Sequence, residues 1–539
     1  MNRFILSISF SKTTSRRLYA FFYNNIFYFL LAGLTTISVF CFLVYLQNGL
    51  GLSYNDARSH LDIGRRVVEG LKPGLAQLGS VWLPLPHLLM VLTVWNDFMW
   101  HSGLSGALQS MISFVATGLL VYYFLKELQV SMLGRLTGVF VFVANLNMLY
   151  LQSTAMTELL LIATSTAGVY ELLKWQRNNR LFNLLLSSFF IMLSTLNRYD
   201  GWFLFGWASV IVVIVMWKKV GWRAAEGVFF LFTTLGALGI VLWFLWNQLI
   251  FHDALYFIFG PYSAHAQQQQ LAQAGVLATK KDLLLSIKVY MYALAYNEYT
   301  FPLILGLTGA IVLFFDKKLP LNSKIVSSAL FAPLIFNILA LFFGFSVLFV
   351  QGISGDTWFN VRYGILMSPS LAIFIGYLVY RWHKLRYLII GLLFFVTAFA
   401  FLNQDAVTID DARVGSSQVN VSEVANWLNK NAKDKPGFVL IAAASHDAVI
   451  FSSGLPMSKF IHEGTGEYWV SATTSPDRWA RWIVMRTNDM NDQTFKLVHN
   501  TPGFKKYTLV GHYPFADIYE LKPQYISQLH TTPVFGHQK

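Results

Sequence analysis

Apolar runs of roughly 17 to 25 residues recur along this chain with short polar breaks between them, and each is long enough to cross a bilayer as a helix. That recurrence constrains the fold more than any motif. Without water to satisfy backbone groups inside a membrane, helix is the form such runs take. About eleven can be placed, near 26–46, 104–124, 136–153, 157–174, 182–199, 202–217, 225–248, 298–315, 325–350, 363–380 and 386–402. Of 539 residues, 55% are hydrophobic and 12% charged, with 47 Phe, 25 Tyr and 16 Trp, too little polar surface to cover a water-soluble core. The chain reads as a polytopic α-helical membrane protein. Its basic N-terminus leads into a long run with no Ala-x-Ala cleavage site behind it, which predicts a retained first helix.

Lysine and arginine fall in alternate breaks: Arg3, Lys12, Arg16 and Arg17; Lys126 and Arg135; Lys174, Arg177 and Arg180; Lys218, Lys219 and Arg223; Lys317, Lys318 and Lys324; Arg381, Lys384 and Arg386. Positive loops stay on the cytoplasmic side. The expectation is a multi-pass protein of the plasma membrane with its N-terminus inside and its C-terminus outside. The net charge of +13 is then topological information and no nucleic-acid footprint. The single cysteine, Cys41, lies within the first apolar run, so no intramolecular disulfide framework exists.

From about Asn403 the composition turns mixed. An amphipathic helix is expected near Ser422 to Ala432, and strands near Phe438 to Ala444, Trp482 to Met485, Tyr507 to Val510 and Asp517 to Leu521. This divides the chain into a membrane domain, 1–402, and a small extracytoplasmic α/β domain, 403–539. The second part is expected to carry no chemistry, since Asp447, His446 and His462 show no pairing of nucleophile and base.

The polar residues of the membrane domain gather in breaks on one side. In the first of these, a helix beginning near Asn55 places Arg58, Asp62, Arg65, Arg66 and Glu69 on one face as i,i+3 and i,i+4 partners, which reads as a solvated salt-bridge stripe. Asp56 and His60 fall on the opposite side, near Ile63 and Val67, and that stripe does not explain them. Asp56 reads equally as a functional carboxylate or as a helix N-cap shared with Ser53. His60 reads as packing or as a group that tunes Asp56 or seats phosphate. In Ser153 to Leu159, Glu158 is either functional or a first-turn residue favoured by the helix dipole. In Asn197 to Trp202, Arg198 suits a phosphate oxygen, or else it pairs with Asp200 or snorkels to headgroups. In Gly355 to Tyr363, Arg362 stands at a helix mouth, where an arginine beside Trp358 and Tyr363 fits an interfacial anchor. The stretch 249–297, with His252, Asp253, Tyr256, Pro261, Tyr262, His265 and the run Gln267 to Gln270, reads as a lid or as a connector.

In order and spacing these segments, together with Gly79 to His87, resemble the GT-C membrane glycosyltransferases, the group that includes protein mannosyltransferase and aminoarabinose transferase types. The resemblance implies transfer of a sugar from a polyprenyl-phosphate or dolichyl-phosphate donor to an acceptor protein, lipid or glycan at the outer face. It implies Asp56 as general base and Glu158 as a second acid orienting the acceptor. His60, Arg198, Asp200, Arg362 and Tyr363 then form the substrate site. The turn at Glu158 lacks the paired Asp-x-Asp of oligosaccharyltransferases, so a divalent cation is an open question; Asp56, Glu158 and His60 are the residue types to complete one. No Walker or dinucleotide glycine loop is present. The alternative from another class is a transporter or flippase of glycan precursors, which also collects charge between helices but near the bilayer midplane and on inverted repeats.

Overall fold

The computed structural model describes residues 20–260, 263–273, 275–414 and 418–531. Arg3, Lys12, Arg16, Arg17, Pro261 and Tyr262 lie outside the described residues. Among the described residues six helical segments are long and apolar enough to cross a membrane: Ile26–Gln47, Leu104–Glu127, Asp200–Val220, Leu321–Phe343, Val361–Arg381 and Arg386–Val414. Two bent pairs, Trp222–Gly236 with Leu238–Phe251 and Leu283–Glu298 with Thr300–Phe315, raise the number to eight if each pair is one span. This is a multi-pass membrane protein, and some of the expected apolar runs are divided into shorter helices. The run at 136–153 breaks at Asn145, whose side chain accepts from the amides of Asn147 and Met148 and starts a separate short helix, Leu146–Leu151. Met132–Val143 and Leu181–Thr195 are shorter apolar helices.

The stretch 249–297 is also more ordered than a connector. Leu283–Glu298 is helical, buries Val289, Tyr290, Ala293 and Leu294, and meets Thr300–Phe315 at 111°. Tyr299, at φ +62°, makes the corner.

Burial sorts the helices. Only 17% of the apolar window of Ile26–Gln47 and of Arg386–Val414 is buried, against 89% for Val361–Arg381, which is the central helix. Small residues let neighbours reach it: a Cβ on Gly134 would stand 2.6 Å from the Gly376 carbonyl, and one on Gly309 2.2 Å from that of Phe374. Lipid supplies no hydrophobic drive between helices, so such close packing is what holds them together.

The C-terminal part is built on a five-stranded sheet: β1 (Phe438–Ile441), β2 (Phe460–Ile461), β3 (Ala480–Met485), β4 (Tyr507–His512) and β5 (Asp517–Leu521), in the order β2-β1-β3-β5-β4. β1 runs parallel to β2 and β3, and β5 antiparallel to β3 and β4. Alternation decides the two faces. Val439, Ile441, Trp482 and Val484 pack with Val421, Val424 and Leu428 of the helix Gln418–Ala432, while Phe438, Leu440, Ile483 and Met485 pack with Trp469, Phe495 and Val498. The expected helix and four expected strands form; β2, two residues long, carries no period to read.

Candidate active site

Five separate pieces of chain meet at one end of the bundle. They are the loop helix Asn55–Val68, the first turn of Glu158–Asn178, the break Leu196–Tyr199 before Asp200–Val220, the 3-10 turn Val361–Met367, and the helix Val407–Val414. Arg362 stands at the centre. Its Nη2 donates to Asp56 Oδ2 at 2.6 Å and its Nε to Glu158 Oε1 at 3.0 Å, while Nη1 lies 3.8 Å from Asp411 Oδ2. Glu158 Oε1 also accepts from Arg198 Nη1 at 3.3 Å, and Arg198 Nε donates to Asp200 Oδ2 at 3.3 Å. The Tyr363 ring lies under both guanidinium groups, 4.7 Å from Arg198 and 5.3 Å from Arg362. A second ring, Tyr54, lies 4.8 Å from Arg362, and its hydroxyl donates to Asp411 Oδ2 at 3.1 Å.

Exposure differs sharply within the cluster. The side chain of Glu158 is fully buried, those of Asp411 and Arg362 are 2% and 6% exposed, and that of Asp56 is 42% exposed. Asp56 therefore faces the opening and Glu158 the interior. Removing two ions from water is costly, and the pairing of Glu158 with two arginines offsets that cost.

Asparagines hold the supporting backbone. Asn297 donates to the carbonyl of Val361 at 2.7 Å, one residue before Arg362. Gly364 lets that turn approach the helix Leu283–Glu298, since a Cβ there would stand 2.5 Å from the Ala293 carbonyl. Asn147 Oδ1 accepts from the Thr408 amide at 3.0 Å and from its hydroxyl at 2.9 Å, which fixes the helix that carries Asp411. Beside Asp200, a mostly apolar cleft runs between Leu161, Ile162, Leu204, Leu366 and Pro369.

The predicted residues Asp56, Glu158, Arg198, Asp200, Arg362 and Tyr363 thus come together. Asp56 is not the N-cap; Tyr54 is, without a side-chain cap, and the Asp56 carboxylate goes to Arg362. Arg198 makes the expected pair with Asp200 and a second one with Glu158. Glu158 holds both arginines through Oε1 alone, while its Oε2 is buried with no protein hydrogen-bond partner among the described residues.

His60 sits one turn below Asp56, buried, with Nδ1 2.9 Å from His87 Nε2 and its ring 4.5 Å from that of Trp82. Burial, and then Arg362 and Arg198, push its pKa down to about 3, so it is neutral at physiological pH. Its partner is a histidine rather than a cation shared with the acids. Among the described residues no three His, Cys, Asp or Glu side chains are gathered to hold a metal ion, so the set Asp56, Glu158 and His60 does not assemble one. Tyr256 stacks on Phe251 and His265 contacts Gln269.

The other face of the loop helix corrects the solvated stripe. Asp62, Arg65 and Arg66 are buried. Arg66 pairs with Asp447 of the helix Ala443–Ser453, Arg58 donates to Ser452 Oγ at 2.9 Å, and Glu69 accepts from the Met457 amide at 2.9 Å. The stripe is the seat of the C-terminal sheet, whose helix shields those charges from water. Asp447 and His446 are likewise paired, His446 with Asp492 at 2.7 Å.

Sequence reasoning missed Asp411, Tyr54 and His87. Asp411 follows the last apolar run, where the change of composition directs attention to the sheet; the only signal was an acid between apolar residues of a short helical period.

No protein-family model matches this sequence, and no curated protein matches it either. Solved structures do resemble the fold. ArnT from Cupriavidus metallidurans bound to undecaprenyl phosphate overlaps 90% of this chain and 98% of its own at 9% identity, with a TM-score of 0.56. The same protein in the apo state gives 10% identity over the same shares at 0.54. The archaeal oligosaccharyltransferase AglB from Archaeoglobus fulgidus overlaps 86% of this chain and 69% of its own at 10% identity and 0.48. The chain thus shares its fold with ArnT across nearly the full length of both.

Proposed function

We propose that this protein is a membrane glycosyltransferase that moves a sugar from a polyprenyl-phosphate donor to an acceptor hydroxyl at the outer face of the membrane. The observation that carries the reading is the pair Arg362 and Arg198, bridged by the buried Glu158, with the exposed carboxylate of Asp56 beside them. Two guanidinium groups in a site shielded from water suit a phosphate that gains charge as it leaves. The ArnT fold, and the binding of undecaprenyl phosphate named for that protein, support the donor class. The cleft beside Asp200 suits the start of an isoprenoid chain.

In this reading the acceptor O–H bond breaks as its proton passes to Asp56, and the acceptor oxygen bonds to C1 of the sugar with inversion. The C1–O bond breaks and its electron pair leaves on the polyprenyl phosphate, held by Arg362 and Arg198. Glu158 and Asp411 are positioning residues, and Asp200 and Tyr363 complete the arginine pocket. Residues 1–402 form the catalytic domain and 403–539 an extracytoplasmic one, with Asp411 lent by the second to the first. Lys218 and Lys384 belong to the cytoplasmic side; a cysteine at 384 labelled by an impermeant reagent in intact cells, in a Cys41-free background, overturns that orientation.

Mass spectrometry of surface glycans and lipids tests the activity. A strain lacking the protein should lose one sugar modification, which the wild type restores and Asp56→Asn does not. Unchanged glycans and lipids in that strain refute the proposal.

A further inference from the structure

The Nε–Nη2 edge of the Arg362 guanidinium, which the proposed function offers to the donor phosphate, is taken: Nε donates to Glu158 and Nη2 to Asp56, while Nη1 lies 3.8 Å from Asp411 and the rings of Tyr54 and Tyr363 lie about the plane. A phosphate that uses that edge displaces a carboxylate from it. Glu158 is fully buried and also holds Arg198; Asp411 is 2% exposed and also accepts from Tyr54. Asp56 alone stands at the opening, 42% exposed, on the shortest of the three contacts.

We infer that the Asp56 carboxylate and the donor phosphate compete for the same edge of Arg362, and that the arriving phosphate displaces the carboxylate and so frees the base. Carboxylate and phosphate oxygens use the same guanidinium edge, so one replaces the other without rebuilding the pocket. Charge favours the exchange over addition. Two arginines already face the four acids Asp56, Glu158, Asp200 and Asp411, and a further anion added without a departure lacks a counter-charge. The consequence is an order of events. While Asp56 Oδ2 accepts from Arg362 at 2.6 Å, that oxygen is not available to an acceptor hydroxyl, so donor binds before acceptor. The inference rests on the proposed role of Arg362, and the test separates the two.

The test titrates the full-length protein in detergent with undecaprenyl phosphate as probe, comparing wild type with Asp56→Asn, Asp56→Ala, Asp56→Glu and Arg362→Ala. If Asp56 competes with phosphate, Asn and Ala each bind the probe about fivefold tighter than wild type, the scale of one partly exposed ion pair, although Asn lowers turnover. Glu keeps the competing charge and shows no tightening, which separates charge from altered packing. Equal or weaker binding by both Asn and Ala, with Arg362→Ala weakened, overturns the exchange and leaves the phosphate role of Arg362 standing. Unchanged binding by Arg362→Ala removes that role and the exchange with it.

Discussion

The loop helix Asn55–Val68 carries acids and bases on two faces, and they meet opposite fates. On one face Asp56 reaches Arg362 from a position 42% open to solvent, with His60 buried a turn below. On the other, Arg66 and Asp447 are each only 10% exposed, and Asp62 is fully enclosed with Oδ1 accepting from Trp100 Nε1 at 3.2 Å. The difference lies in what covers each face. A face left open keeps a carboxylate free to exchange partners, while a face covered by the sheet turns the same chemistry into a fixed joint. Chemistry on the first face and stability on the second should respond to substitution independently, because they share no partner.

The largest effect belongs to the open face. Asp56→Asn keeps size and hydrogen bonding but removes proton acceptance, and turnover should fall by about 10²- to 10⁴-fold with thermal stability unchanged. Near-normal turnover of the purified variant removes Asp56 as base. On the covered face, Arg66→Ala leaves Asp447 and Asp62 buried without their counter-charge and should cost about 3–5 kcal/mol, read as a lower denaturation midpoint and faster proteolysis between the sheet and the membrane domain. If Arg66→Ala instead leaves stability intact and lowers turnover alone, the contrast between the faces collapses.

A smaller, pH-dependent effect sharpens the second face. Glu463 accepts from the amides of Ala443 and Ala444 at the start of the helix that carries Asp447, and burial pushes its pKa from 4.5 up to about 7. The folded state therefore binds a proton that the unfolded chain has released. Its contribution is intact below about pH 4.5 and is lost as pH rises toward about 7. Asp62 and Asp447 are raised by burial as well, while His462 and His87 are lowered and act in the opposite sense. The difference between wild type and Glu463→Gln isolates one group: the variant should gain on the order of 1 kcal/mol relative to wild type between pH 5 and about 7. Parallel stability profiles across that window contradict the assignment. The smallest change is expected from Asp97→Asn. Its carboxylate meets Arg65 at 2.6 Å but is 76% exposed, and screening holds such a pair under about 1 kcal/mol in a denaturation measurement.

Part of the site was legible because the residue types are costly where they stand. Asp56, Glu158, Arg198 and Arg362 interrupt apolar sequence, and charge next to lipid persists only with partners or work to do. Their grouping was also legible from the topology, since helices that end on one side bring their ends together. Asp411 and His87 were not, for each is defined by a partner more than 20 residues away, Arg362 and His60. The stripe from Asp62 to Glu69 was misread for a related reason. Its i,i+4 spacing is what a solvated helix face shows, and the spacing holds no trace of a covering domain that arrives almost 400 residues later.

The sequence by itself determined that this chain is a helical membrane protein with a small sheet behind it, because the length of an apolar run and the period of a strand are local properties set by the bilayer and the pleat. The tertiary structure decided how many runs become full spans, which face of the loop helix is a joint and which an open site, and that one arginine is shared by three acids. Those outcomes depend on which distant groups exclude water from which others, and burial is a property of the whole packed chain.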